Sequence, residues 1–249
     1  MNPLRVLLTG ACGRIGKTFF LAAQHRYDFV LADRHQPDFA IGAHRFVRLD
    51  LDHKDEVNAL VDGIDVVVHL AGIPYPDSSF EELLPNNITA TTYLLEAAAR
   101  AKCRRVVFAS SAQTIEGYAQ DRQVTSGMPV MPANLYGVSK CYGEALCAFY
   151  AARRGLSTIA LRIGAFEFPD SQDLHHVDLN TWLSPRDAVQ LLQRAIEVED
   201  VQHLVAHGIS NNRFKRLDLS ETIRVLGYQP LDDSFQTFNI PVPVQALHS

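Results

Sequence analysis

Leu4-Arg5-Val6-Leu7-Leu8-Thr9-Gly10-Ala11-Cys12-Gly13-Arg14-Ile15-Gly16 is the stretch that decides the fold. An apolar run reads as a buried strand. Three glycines spaced by three then arrive where the apolar periodicity turns helical, through Ile15, Phe19, Phe20 and Ala23. Strand, tight turn and helix N-terminus are therefore expected in that order. Glycine allows the turn and lets backbone N–H groups approach a pyrophosphate, while the free amides and dipole of the helix start favour an anion. Gly10, Cys12, Gly13, Arg14, Ile15 and Gly16 form the candidate cradle, although a glycine triplet alone is equally compatible with a structural turn. What raises the odds is the second strand, Asp28-Phe29-Val30-Leu31-Ala32, which ends in Asp33 about twenty residues beyond the loop. A carboxylate there accepts both ribose hydroxyls of an adenosine and repels a 2'-phosphate, which predicts NAD rather than NADP. Arg34 and Arg14 are nearby cations that soften this preference.

The chain has 249 residues, of which 47% are apolar, enough for a large core in one domain or one domain with a small lobe. A net charge of -5 with scattered basic residues predicts neither a nucleic-acid groove nor a membrane-binding patch. No apolar stretch approaches the ~20 residues needed to span a bilayer, and the first residues show no signal-peptide pattern. Cys12, Cys103, Cys141 and Cys147 lack metal-ligand spacing and the density of a secreted scaffold. Free thiols, no metal and a cytoplasmic location are the expectations.

Downstream of Asp33, a short strand His44–Arg48 runs into Leu49-Asp50-Leu51-Asp52, which puts Asp50 within reach of an adenine amino group and makes Asp52 a helix cap. Ile64–Leu70 is a near-continuous apolar run of the kind buried on both faces of a parallel sheet. It ends in Ala71-Gly72-Ile73, whose small side chains let a dinucleotide lie close, so Leu70, Ala71 and Gly72 join the candidate contacts. A helix is expected from about Phe80 to Ala101 and carries Asn87, a residue type that on a helix is more often a surface or packing amide than a site residue. Arg105–Ala109 is the fifth strand and delivers Ser110 and Ser111 to its carboxyl end. Ser157–Ile163 is the sixth. Between Gly164 and Thr181 no periodicity is visible, which marks a substrate loop or lid. Ser184 and Pro185 open another helix, in which Asp187 and, further on, Glu197, Glu199 and Asp200 read as a polar face and its end. A strand at Gln202–Ala206 and a helix near Leu219–Leu226 follow. Alternating strands and helices predict a doubly wound, mostly parallel α/β sheet of about seven strands with helices on both faces. Residues 1–163 would hold the dinucleotide, and 164–249 the substrate loop, the remaining sheet element and a small C-terminal substrate lobe, all in one compact unit.

Tyr136 and Lys140 are four apart at the start of a helix and so share a face. A phenol is a poor base at its free pKa of about 10, but a neighbouring ammonium favours the phenolate. Ser111 can hold a substrate hydroxyl while Tyr136 takes its proton and a hydride leaves for nicotinamide. Lys140 can reach the nicotinamide ribose. On spacing alone, a tyrosine and a lysine so placed are usually surface residues. Their combination with the glycine loop, Asp33 and a strand-end serine points to catalysis.

Taken together, Thr9–Gly16, His69-Leu70-Ala71-Gly72, Ser110-Ser111 and Tyr136-Gly137-Val138-Ser139-Lys140 resemble the extended short-chain dehydrogenase/reductases, the NAD-dependent epimerase/dehydratase family, over essentially the whole chain. The resemblance implies a Rossmann sheet and a catalytic triad of Ser111, Tyr136 and Lys140, with Asn87 close to it. It also implies adenine contacts at Asp50 and Leu51 and a ribose contact at Asp33. Asn87, Ile163, Tyr136 and Lys140 complete the candidate cofactor set. Family members often dimerise through the Tyr136 helix and the Phe80–Ala101 helix, so a homodimer is an expectation.

Ala109-Ser110-Ser111, Thr114-Ile115, Tyr136–Glu144, Arg162-Ile163-Gly164 and Thr181-Trp182-Leu183-Ser184 are most similar to the uronate dehydrogenases of that family, which oxidise C1 of glucuronate or galacturonate with NAD. The likeness breaks where substrate is chosen. Ala112 and Gln113 stand in place of Asn-His, Pro74 in place of a serine, and Ala165-Phe166 in place of Ser-Cys. The neighbourhood of the arginine that pairs with the uronate carboxylate reads Leu174-His175-His176-Val177-Asp178. The candidate substrate residues are thus Pro74, Ser111, Ala112, Gln113, Tyr136, Ala165, Phe166, His175 and His176. Two substrates fit this pattern, a uronate held by the loop histidines together with Gln113 and a neutral aldose. A nucleotide-sugar epimerase or dehydratase and a non-catalytic NAD-binding interaction protein remain as alternatives, the latter disfavoured because it needs no base. Arg162 is expected to anchor a loop by a salt bridge, Cys141 to pack, and Trp182 and Phe166 to wall the pocket or the core beneath it.

Overall fold

The computed structural model describes residues 3–170 and 178–241; His175 and His176 lie outside them. Seven parallel strands form one sheet: β1 (Arg5–Thr9), β2 (Asp28–Asp33), β3 (Arg45–Arg48), β4 (Val66–His69), β5 (Arg105–Ser111), β6 (Ser157–Ile163) and, after a separate two-stranded pair, β9 (His203–Gly208). Their order is β3-β2-β1-β4-β5-β6-β9. The alternation of side chains along each strand divides the core into two layers. Val6, Leu8, Phe29, Leu31, Val66, Val68, Ile159 and Leu161 face α1 (Arg14–Ala23) and α6 (Pro185–Glu197). Leu7, Val30, Val67, Val106, Phe108 and Ala160 face α2 (Lys54–Leu60), α4 (Ala90–Arg100) and α5 (Leu135–Arg154). Apolar residues on both faces explain why these strands read as continuous hydrophobic runs.

Strand order reverses between β1 and β4, whose ends meet at Thr9 and His69. A crevice opens at the carboxyl edge of that seam, lined by Gly10, Leu70, Ala71 and Gly72. α3 (Phe80–Leu83) runs into α4 through a π-helical turn at Leu84–Thr89. Pro85 has no N–H for the helical ladder, and the Ala90 N–H reaches back five residues to the Pro85 carbonyl. The expected Phe80–Ala101 helix is therefore present with a widened turn at Asn87.

Four local expectations need correction. α2 begins after His53, which caps it without a side-chain bond, so Asp52 is not the cap. β5 continues through Ser110 and Ser111, because both pair with β6 at Arg162 and Ile163. In the loop from Gly164 to Thr181, β7 (Ala165–Phe166) pairs in parallel with β8 (Trp182–Leu183). Two-residue strands are too short to show a period. Ser184 does cap α6, accepting the Asp187 N–H at 3.1 Å, with Pro185 in the first turn. Asp187 is fully buried rather than part of a polar face: its two carboxylate oxygens accept the N–H groups of Leu231 and Asp232 at 3.0 Å. Beyond β9, α7 (Ser220–Leu226) and α8 (Ser234–Thr237) form the small C-terminal extension. No helix among the described residues is long and apolar enough to cross a membrane.

Candidate active site

A cavity of about 1380 Å³ runs along the carboxyl edge of the sheet, from Leu49, Asp50 and Leu51 past the glycine loop to Ser111, Tyr136 and Gln113. At its centre the backbone requires glycine twice. Gly10 adopts φ +70°, and a Cβ there would lie 2.6 Å from the Ala71 nitrogen. A Cβ on Gly16 would lie 2.2 Å from the Gly10 carbonyl oxygen, so the first turn of α1 packs directly on the loop. That packing aims the amides of the α1 N-terminus, which have no intrahelical acceptor, at the cavity. Gly16→Ala is expected to weaken NAD binding by at least about tenfold, read by calorimetry, because the helix start must back away from the anion.

Asp33 closes β2 beside this loop. One carboxylate oxygen accepts the Cys12 N–H at 2.9 Å and the other the His35 N–H at 3.0 Å, which fixes the group while leaving lone pairs toward the cavity. Arg34 donates to Asn86 Oδ1 at 2.6 Å, tying the Asp33 side of the cleft to the π-helical turn. Gly10, Cys12, Gly13, Arg14, Ile15, Gly16, Asp33, Arg34, Asp50, Leu51, Leu70, Ala71, Gly72 and Ile163 all line the cavity. Glycines that a Cβ would block, a helix N-terminus and a fixed carboxylate are the donor and acceptor set that an adenine dinucleotide requires, so these residues fit NAD.

Asn87 is placed differently from the expectation. It is buried and does not line the cavity; its Oδ1 accepts the Ile73 N–H at 2.8 Å, and its Nδ2 donates to the Ile73 carbonyl at 3.1 Å and to Ser139 Oγ at 3.0 Å. With both amide protons used inside the protein, Asn87 pins the end of β4 to α5. Asn86 is the neighbour that reaches the cavity wall.

Ser111, Tyr136 and Lys140 converge at the other end, each less than one-tenth exposed. Lys140 Nζ donates to the Ala109 carbonyl at 2.8 Å and lies 5.7 Å from the Tyr136 ring centroid. Burial lowers the Lys140 pKa to about 8, and burial raises the Tyr136 phenol, with a hydrogen bond to Ser111 acting the other way. The phenol therefore stays protonated at rest, and a nearby ammonium favours the phenolate as a proton is drawn away. Ser111 Oγ accepts the Gln113 N–H at 3.2 Å, which orients it and leaves its own proton to donate. Gln113 Oε1 in turn accepts from Asn134, the residue whose side chain caps α5 by accepting the Gly137 N–H at 2.7 Å. One chain of bonds thus sets the α5 start, and with it Tyr136, against the end of β5.

Pro74, Ala112, Gln113, Ala165 and Phe166 line the cavity beside this cluster. Trp182 does not: it is fully buried, its indole N–H donating to the Glu167 carbonyl at 3.0 Å. Sequence reasoning missed Asn86, Glu116, Phe168, Asp178 and Thr181 as lining residues. Arg14 from the glycine loop pairs with Glu167 and lies over the rings of Phe166 and Phe168, at 5.6 and 5.3 Å from their centroids. Arg162 is held chiefly by Glu144 of α5, with two bonds of 2.8 Å; its one contact to the preceding loop is to the Ser126 carbonyl at 3.5 Å.

Two buried histidines are neutral for physical reasons. His69 bridges Thr9 at 2.8 Å and Thr91 at 3.1 Å, and burial pushes its pKa down to about 3, helped by Lys140. His207 donates from Nδ1 to the Asp218 carbonyl at 2.9 Å, its Nε2 has no partner among the described residues, and burial pushes its pKa down to about 4. An unfolded histidine binds its proton near pH 6.5, so between there and the folded value the unfolded state holds more protons and stability falls as pH drops. Each contributes a slope of at most about 1.4 kcal/mol per pH unit. His207→Gln, which keeps a donor for Asp218, is expected to flatten the fall in melting temperature between pH 6.5 and 5. An unchanged pH profile would rule out His207 as a contributor.

Residues 6–180 match the model of the NAD dependent epimerase/dehydratase family. The chain is 38% identical over 243 residues to a uronate dehydrogenase of Pseudomonas putida, covering 97% of this chain and 88% of that protein. It is 33% identical over 251 residues to an L-arabinose 1-dehydrogenase (NAD(P)(+)) of Haloferax volcanii, covering 92% and 97%. A solved mutant of the uronate dehydrogenase from Agrobacterium tumefaciens, complexed with NAD, superposes with a TM-score of 0.85 at 34% identity, covering 98% of this chain and 93% of that one. With sheet order, glycine loop and the Ser111, Tyr136 and Lys140 cluster all agreeing, the chain belongs to the NAD dependent epimerase/dehydratase family.

Proposed function

We propose that this protein is an NAD-dependent oxidoreductase that converts the C1 hydroxyl of a free monosaccharide, a uronate or a neutral aldose, to its lactone. The observation that carries this reading is the joining of Ser111, Tyr136 and Lys140 to the glycine cradle in one continuous cavity. Relatives named for uronates and for arabinose, both dehydrogenases, support a sugar as substrate. The carboxylate of Asp33 favours NAD over NADP.

The glycine loop, Asp33 and Leu51 would hold NAD, whose nicotinamide would supply the hydride acceptor when bound. Ser111 donates a hydrogen bond to the C1 hydroxyl oxygen and orients it toward Tyr136. Tyr136 takes the hydroxyl proton as the C1–H bonding pair departs, and a C1–O double bond forms. Lys140 stabilises the developing phenolate. Aldose and NAD thus yield lactone, NADH and one proton.

NADH absorbance on a panel of free uronates, neutral aldoses and UDP-sugars, with NAD and NADP each supplied, tests the proposal. Growth of the signal on a free sugar is expected, faster with NAD. Silence on every free sugar would overturn it in favour of a nucleotide-sugar enzyme or another carbonyl substrate.

A further inference from the structure

Two carboxylates stand at the substrate end of the cavity, one paired with an arginine and one, Asp178, held by uncharged donors. Glu116, on the turn after β5, and Asp178, before β8, both line it. Asp178 is held by donors of its own turn, the Asn180 N–H at 3.0 Å and the Thr181 hydroxyl at 2.8 Å. Those bonds orient the carboxylate and leave its charge in place.

The described cations nearby are each committed. Arg216 is buried behind Glu116: Nη1 donates to the Glu116 carboxylate at 2.6 Å, and Nη2 donates to the carbonyls of Glu116 and Tyr118 at 3.2 and 2.8 Å. It does not line the cavity. Arg14 is paired with Glu167 and lies over the rings of Phe166 and Phe168, on the cofactor side. Lys140 is spent on the Ala109 carbonyl beside Tyr136.

We propose that the site selects an uncharged aldose over a sugar acid, with Glu116 and Asp178 accepting hydrogen bonds from sugar hydroxyls. This rests on the reading of the site as a sugar C1 dehydrogenase. A carboxylate on the substrate would meet Asp178 across a partly desolvated cavity, where like charges repel strongly. Hydroxyl groups, by contrast, offer the donors that two carboxylates need. Pro74, Ala112, Ala165 and Phe166 leave apolar wall for the C–H face of a sugar ring.

The test compares kcat/KM for galactose with galacturonate, and for glucose with glucuronate, in the wild type and in Asp178→Asn. In the pair that is turned over, the neutral sugar is expected to lead by at least about tenfold. Asp178→Asn is expected to narrow that ratio about threefold or more, whereas a merely structural role would lower both sugars together and leave the ratio unchanged. A smaller lead, a preference for the uronate, or an unchanged ratio in Asp178→Asn overturns the inference while leaving C1 dehydrogenation standing. Absence of NADH on all four sugars overturns the dehydrogenase reading itself, and the charge selection with it.

Discussion

Tyr136→Phe should lower kcat by about 10²–10⁴-fold while leaving NAD binding within about twofold of the wild type. The substitution removes one oxygen from a side chain that is already 7% exposed and packed, so the fold has little reason to change. What disappears is the atom that the proposed mechanism uses to receive the substrate proton. Lys140 remains on the Ala109 carbonyl and Ser111 remains oriented by Gln113, which separates loss of the base from collapse of the site. Steady-state kinetics together with calorimetric titration of NAD check both halves. A variant that keeps most of its turnover would remove Tyr136 from the mechanism.

The largest effect on stability is expected at Glu144. Its side chain is 7% exposed, that of Arg162 is 3% exposed, and the two make a bidentate pair between α5 and β6. Ser110 adds a third bond by donating to Glu144 Oε1 at 2.6 Å. Taking two charges out of water is costly, so the pair itself adds little net stability, but removing one member strands the other. Glu144→Ala should therefore cost about 3–5 kcal/mol and lower the melting temperature by roughly 10 °C. The paired replacement Glu144→Leu with Arg162→Met should recover most of that loss, because it removes both charges and refills the space. If Glu144→Ala unfolds within about 2 °C of the wild type, the buried pair is not acting as described. Ser110 lines the cavity next to Ser111, so this pair also braces the strand end that carries Ser111.

Features that are local in the chain are legible in the amino-acid sequence, and features made by distant contacts are not. The glycine loop, Asp33 and the Tyr136 and Lys140 pair are spacings within one strand-turn-helix or one helical turn, and sequence carries such spacings directly. The parallel sheet is legible because strands buried on both faces are continuous apolar runs. Glu116, Asp178 and Thr181 lie in segments without a period, and their approach to the cavity depends on Arg216 and on the β7–β8 pairing, contacts that span many residues. Asp187 has the same origin: the two amides that satisfy it belong to Leu231 and Asp232, so nothing near it in sequence marks it as buried. The family pattern points Asn87 toward the site, yet the widened turn at Pro85 directs it to Ile73 and Ser139 and leaves Asn86 for the cavity.

A fold that binds a dinucleotide across the β1–β4 seam accommodates several reactions, and the chemistry lies in what stands at the end of β5 and the start of α5. Ser111, Tyr136 and Lys140 would also serve an epimerase, which oxidises a sugar carbon and returns the hydride to it. The two differ in where the hydrogen from C1 ends.

The most direct measurement is therefore the fate of deuterium placed at C1 of galactose and of galacturonate, incubated with NAD and the wild-type protein and followed by mass spectrometry. For whichever of the two sugars reacts, deuterium is expected to leave the sugar, appear in the reduced nicotinamide and be absent from the lactone product. Deuterium retained at C1 of every product, or no reduced nicotinamide with either sugar, would contradict that expectation.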